Sequence, residues 1–147
     1  VNKSGKFNAP IGSYKNPNIV QEDKIYSCHN ALQKTDLIHG DFEIVRGVVQ
    51  KGDFVYFDPP YHPTSETSFT AYTKQNFTEK DQVRMRNFVN ELHKKGAYIM
   101  LSNSKTKLIE DLYRHKCFTK HIVMAPRFVN CKPSERSKVE EYLITNY

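Results

Sequence analysis

The chain has no tryptophan and only three cysteines among its 147 residues. Cys28, Cys117 and Cys131 lie far apart, with no CxxC pair and no histidine at zinc-ligand spacing. That argues against a disulfide framework and against a metal centre, and leaves reduced thiols as the expectation. No stretch approaches the roughly eighteen consecutive apolar residues of a membrane-spanning helix. The start, Val1-Asn2-Lys3-Ser4-Gly5, has no basic segment leading into an apolar one, so no secretory leader is expected there. It also lacks an initiator Met, which suits a trimmed chain. The six glycines, at 5, 12, 40, 47, 52 and 96, are too scattered to build a Gly-rich turn. Repeats and low-complexity tracts are absent. What remains is an ordinary soluble profile, 38% hydrophobic and 26% charged, of a size for one domain or a piece of one.

The net charge of +6 is unevenly placed. Residues 1–24 carry an excess of +2, residues 25–104 are balanced, and residues 105–147 carry +4. A neutral middle between basic flanks suits a site that holds a polyanion at its rims, or simply a solvated basic surface.

The opening segment Phe7–Pro17, rich in Gly, Pro and Asn, suggests loop or hairpin. A helix is expected from about Val20 to Lys34, with Ile25, Cys28 and Leu32 on one face. Leu37-Ile38-His39 predicts a short strand turning at Gly40, and 43–49 a short helix. Phe54-Val55-Tyr56-Phe57 is an unbroken β-branched and aromatic run, as in a central parallel strand buried on both faces. It stops at two prolines, which cannot continue a ladder, and a polar loop follows to about Asn76. Thr78 is placed to cap a helix, with Asp81 three residues on. Met85, Phe88, Val89 and Leu92 form its apolar stripe and Gly96 ends it. Next come a buried strand over 97–101 and a short helix from Thr106 to Tyr113, with Leu108, Ile109 and Leu112 inside. A strand over 118–124, a basic loop over 126–137 and a last strand over 139–145 complete the chain. Alternation of strands and helices predicts an α/β fold. The last two strands lack a helix between them and are expected to pair antiparallel.

The strongest motif is Asp58-Pro59-Pro60-Tyr61, at the carboxyl end of a predicted parallel strand, where ligands of open α/β sheets sit. Its residue types suit one chemistry. The exocyclic amine of a nucleobase is a poor nucleophile, because its lone pair is delocalised into the ring. Two acceptors aimed at its two N–H bonds would draw it towards tetrahedral geometry and localise that pair. The Asp58 carboxylate and a backbone carbonyl, such as that of Pro59 with its direction set by the prolines, can do this. The Tyr61 ring can stack on the base. Together they make a clamp for a flipped-out base. The same residues also suit a plain strand-ending turn.

With Phe69-Thr70-Ala71-Tyr72 following, the motif resembles the signature of the Dam-type (D12 class) adenine-N6 DNA methyltransferases, nearest to those of restriction systems that modify GATC. The resemblance extends over essentially the whole chain. It includes Phe7–Lys15, Leu101-Ser102-Asn103-Ser104 and Arg136–Glu141. It implies the C-terminal part of a Rossmann-like S-adenosylmethionine-dependent methyltransferase fold over 19–147. Residues 1–18 would form the end of a target-recognition hairpin. It implies that Asp58, Pro59, Pro60 and Tyr61 are catalytic, with Asp58 touching both the target amine and the methionine part of the cofactor. Asp41 and Phe42 match the acidic-aromatic pair that holds the cofactor's adenine. Phe69–Tyr72 would lie against the cofactor or the extruded strand. In the opening segment, Asn2 and Pro10 are expected to contact bases, and Tyr14 and Lys15 to contact phosphates. Arg127, Lys132, Arg136 and Lys138 are expected at the DNA backbone. The partners implied are double-stranded DNA and, in a restriction system, a cognate endonuclease. The setting implied is a prokaryotic cytoplasm, with no metal and no membrane.

Some family features find no match in these 147 residues. The Gly-rich cofactor turn, which in the family precedes the recognition segment, is one. Two strands that lie between the one before Asp41 and the one before Asp58 are another. The expectation is therefore an unpaired apolar edge on the Phe54–Phe57 strand, poor cofactor binding by this chain alone, and no methylation by it alone. Two other readings are a truncated relative that still grips DNA without catalysis, and a methyltransferase acting on RNA or a protein glutamine. The Asp at the first motif position and the Phe7–Lys15 segment favour DNA adenine.

Overall fold

The computed structural model describes residues 4–5, 18–64, 77–126 and 138–147. Chain contacts divide it into two units, Val1–Gly40 and Asp41–Tyr147.

In the first unit, α1 spans Glu22–Leu32, shorter at both ends than the expected 20–34. Ile25, Cys28 and Leu32 are all exposed, and no α1 residue is buried. The strand expected at Leu37–His39 does not form: the segment is irregular, with Leu37 and Ile38 exposed. A strand exists through its ladder, and no other strand among the described residues pairs with this one.

The second unit holds the sheet. After a 3-10 helix, Phe42–Gly47, come β1 (Phe54–Phe57), α2 (Glu79–Lys95), β2 (Tyr98–Ser104), α3 (Lys107–Leu112), β3 (Thr119–Pro126) and β4 (Lys138–Thr145). The strand order is β1-β2-β4-β3. The β1 and β2 strands are parallel, Phe57 opposite Leu101. The β4 strand runs antiparallel to both β2 and β3, so the expected antiparallel close is found. Its last strand is inserted beside β2, which leaves β3 outermost. The β1 strand is parallel, as expected, but it is not buried on both faces. It forms the other edge of the sheet among the described residues, the unpaired edge expected for it, with Phe54 58% exposed and Tyr56 half-exposed, and of its four residues only Phe57 is buried.

The α2 helix follows its sequence signals closely. The Asp81 carboxylate accepts hydrogen bonds from the Thr78 N–H (2.8 Å) and hydroxyl (2.7 Å). Met85, Phe88, Val89 and Leu92 are buried against the sheet. Gly96 adopts φ 87°, the left-handed cap conformation open to glycine, and turns the chain into β2. The core joins this stripe to Phe57, Ile99, Leu101, Ile109, Tyr113 and Ile144. In α3, Ile109 is buried while Leu108 and Leu112 are only partly so. The β2 strand runs three residues beyond its expected end because Leu143, Tyr142 and Glu141 of β4 pair with Ser102, Asn103 and Ser104. That extension carries polar side chains into the interior, where Ser102, Asn103 and Ser104 are all buried. Another buried polar residue, Gln82, lies one turn ahead of Met85 on the inner face of α2.

Candidate active site

The parallel pair β1–β2 ends in two polar segments, Asp58–Tyr61 and Ser102–Ser104, brought side by side by their register. Asp58 is the first residue beyond β1 and is exposed. Its Oδ1 accepts a hydrogen bond from the Ser102 hydroxyl at 2.8 Å. The Ser102 Oγ in turn accepts from the Tyr56 hydroxyl at 3.0 Å. Tyr56 and Asp58, two residues apart, meet the same serine, as the period-two geometry of an extended chain allows.

Tyr61 is half-buried. Burial pushes its phenol pKa up, the nearby Ser102 side chain opposes the rise, and the negative charge of Asp58 adds to it. Asp58 and Tyr56 thus converge on Ser102. Pro59 is buried and Pro60 partly so. The Pro60 carbonyl accepts from Gln82 Nε2 at 3.0 Å, whereas the Pro59 carbonyl accepts no hydrogen bond among the described residues. The next residue, His62, donates its backbone N–H to Asn103 Oδ1 at 2.9 Å. Its ring lies 3.0 Å from the Thr106 hydroxyl and 3.5 Å from the Glu79 carboxylate. Asn103 Nδ2 donates to Gln82 Oε1 at 3.1 Å.

Asp41 caps the 3-10 helix, accepting from the Glu43 N–H at 3.0 Å. Arg84 of α2 forks onto it, Nη1 to Oδ1 at 2.8 Å and Nη2 to Oδ2 at 2.9 Å. That hydrogen-bonded guanidinium, with the Glu43 amide, holds the Asp41 carboxyl below its ordinary pKa. The same guanidinium lies 4.2 Å from the centre of the Phe42 ring, which also meets the rings of Phe88 and Phe77. Phe57 packs on Phe88 as well, so Phe42 and the strand leading into Asp58 share one aromatic neighbour.

The structure therefore brings Asp58, Pro59, Pro60 and Tyr61 together with β2. It also joins Asp41 and Phe42 through Arg84. Of the residues expected at DNA, Lys138 is described: it is exposed and opens β4, opposite Pro126, rather than belonging to the basic loop. Asn2, Pro10, Tyr14, Lys15, Arg127, Lys132 and Arg136 lie outside the described residues, as does Phe69–Tyr72. Sequence reading assigned no role to Ser102, Asn103, Gln82, His62, Tyr56 or Arg84. Two signals were available: a polar triplet closing an apolar strand, and a glutamine in register with a helix stripe. No group of three or more potential metal-ligating side chains occurs among the described residues. No helix among them is long and apolar enough to cross a membrane.

Comparison with known proteins gives this corner a context. The chain is 47% identical over 150 residues to the type II methyltransferase M1.LlaDCHI of Lactococcus lactis subsp. cremoris, a match covering all of this chain and 52% of that protein. It is 45% identical to the type II methyltransferase M.MjaIII of Methanocaldococcus jannaschii, again over the whole chain and 51% of that protein. It is 36% identical over 142 residues to the retron Ec67 DNA adenine methylase of Escherichia coli, covering 97% of this chain and 47% of that protein. The chain thus spans about half the length of the curated relatives it matches. Residues 1–127, which include the Asp58–Tyr61 corner and all of β2, match the family model for D12 class N6 adenine-specific DNA methyltransferases, and the chain belongs to that family.

Proposed function

We propose that the protein carrying this chain transfers a methyl group to the N6 amine of an adenine flipped out of duplex DNA. The observation that supports this most directly is the Asp58 carboxylate, exposed at the end of a parallel strand with one oxygen held by Ser102. Its second oxygen and the Pro59 carbonyl are the two acceptors the amine needs. They take its two N–H bonds, turn its lone pair towards the electrophile and receive the developing positive charge. Tyr61, half-buried beside the carboxylate, supplies the stacking face.

S-adenosylmethionine supplies an electrophilic methyl group when bound. Asp41 and Phe42 suit its adenine in kind, a carboxylate to accept from an amine and a ring to stack on. Arg84 engages both groups, so ligand binding at this pair requires the guanidinium to share or yield its place. The fold would be the C-terminal part of a Rossmann-like domain over 19–147, with 1–18 as the end of a recognition hairpin. On this reading Asn2 and Pro10 contact bases. Tyr14, Lys15, Arg127, Lys132, Arg136 and Lys138 meet phosphates. The site modified is GATC, and the setting is a prokaryotic restriction system with its endonuclease.

Asp58→Ala in the full-length protein tests the clamp. Methyl transfer to adenine should be abolished while duplex binding in a gel-shift assay is retained. Normal turnover in that variant would end this reading.

A further inference from the structure

Gln82 and Asn103 are 2% and 0% exposed, and neither touches the reacting atoms of the proposed clamp. Neutral amides at such depth destabilise a fold unless their hydrogen bonds are made. Here they are made in one direction only. Gln82 Nε2 donates to the Pro60 carbonyl, and Gln82 Oε1 accepts from Asn103 Nδ2. Asn103 Oδ1 accepts from the backbone N–H groups of His62 and Ser104, each at 2.9 Å. Flipping the Gln82 amide would set oxygen against the Pro60 oxygen. Flipping the Asn103 amide would set its NH2 against two N–H donors. The orientation is dictated from both ends.

The two ends of this chain of hydrogen bonds are informative. The Pro60 carbonyl belongs to the peptide plane before Tyr61, and the His62 N–H to the plane after it. Holding both planes fixes the two backbone dihedrals of Tyr61. The backbone of Tyr61 is thus held on both sides, by Gln82 of α2 and Asn103 of β2. We infer that Gln82 and Asn103 are a positioning pair that fixes the backbone of Tyr61, and with it the direction in which its side chain leaves the chain towards the target base. This deepens the reading of Tyr61 as a stacking platform and rests on it.

The test uses the full-length protein, with unmodified duplex DNA for turnover and a second duplex carrying 2-aminopurine at the target adenine to report base stacking. Gln82→Met conserves length and burial but removes both polar atoms. It is expected to lower kcat about ten- to hundredfold, the scale of a misplacement near 1 Å, with KM for DNA changed by less than about threefold. Fluorescence of the flipped base should rise as its stacking loosens. A kcat equal to wild type overturns the pairing. So does a fall in kcat matched by an equal rise in KM and a loss of melting temperature, which marks a merely structural role. Asn103→Ala is read separately by amide exchange, where the His62 N–H should exchange faster than in wild type. Unchanged exchange overturns the pair whether or not the protein is active. A wild-type protein that transfers no methyl group to adenine refutes the platform reading, and this inference falls with it. Faster His62 exchange in Asn103→Ala would then still place the amides on the turn.

Discussion

Removing the Ser102 hydroxyl should cripple the proposed clamp without touching the base or Asp58 itself. Ser102 is buried and donates to Asp58 Oδ1 at 2.8 Å. A hydrogen bond to an ionised group contributes about 1.5–3 kcal/mol. Asp58 is exposed, so water can take over part of that bond, and the lower end applies. About 1.4 kcal/mol is a factor of ten in rate, so Ser102→Ala should lower kcat about tenfold. If the freed carboxylate also swings by about 1 Å, the loss approaches a hundredfold. Ser102→Thr keeps a hydroxyl and should recover much of the rate. Tyr56→Phe leaves the serine in place but removes the donor that orients it, and should cost only about two- to fivefold, a fraction of one hydrogen bond. Single-turnover transfer of labelled methyl to a duplex measures each variant, with gel-shift affinity as the control. A Ser102→Ala rate within about twofold of wild type would refute the claim that this hydroxyl sets the carboxylate.

Arg84→Met should tighten cofactor binding, since an exposed ion pair (about 0–1 kcal/mol) and a cation–π contact (about 0.5–1 kcal/mol) would no longer have to be displaced. Calorimetry on the full-length protein should show a Kd lower by about two- to thirtyfold, and weaker binding would make Arg84 a ligand contact instead. Alkaline stability should depend on Tyr113, which is 1% exposed and whose phenol pKa is pushed well up by burial. A raised folded-state pKa contributes stability that is complete below the unfolded value of about 10 and is lost as pH climbs beyond it. Melting temperatures taken between about pH 8 and about pH 11 should therefore fall less steeply in Tyr113→Phe than in wild type. Leu92→Ala, at a fully buried position of the α2 stripe, should lower denaturant stability by about 2–5 kcal/mol.

The sequence alone determined what short-range chemistry controls. The α2 helix was legible from end to end, because its cap, stripe and glycine stop act within a few residues of one another. The abrupt end of β1 was legible because proline cannot donate to a ladder. The Asp58–Tyr61 corner was legible because its four residues stand together in the chain at the end of an apolar run. Local signals also misled: Leu37–His39 has strand-like side chains but no partner strand among the described residues, and Phe54–Phe57, whose unpaired edge was expected, is apolar enough for burial on both faces yet buries only Phe57. Tertiary structure decided which groups hold the corner. Ser102 meets Asp58 across 44 residues, Asn103 meets His62 across 41, and Arg84 meets Asp41 across 43. Such pairings follow from strand order and register, which depend on how separate segments pack, and no periodicity within one segment records them.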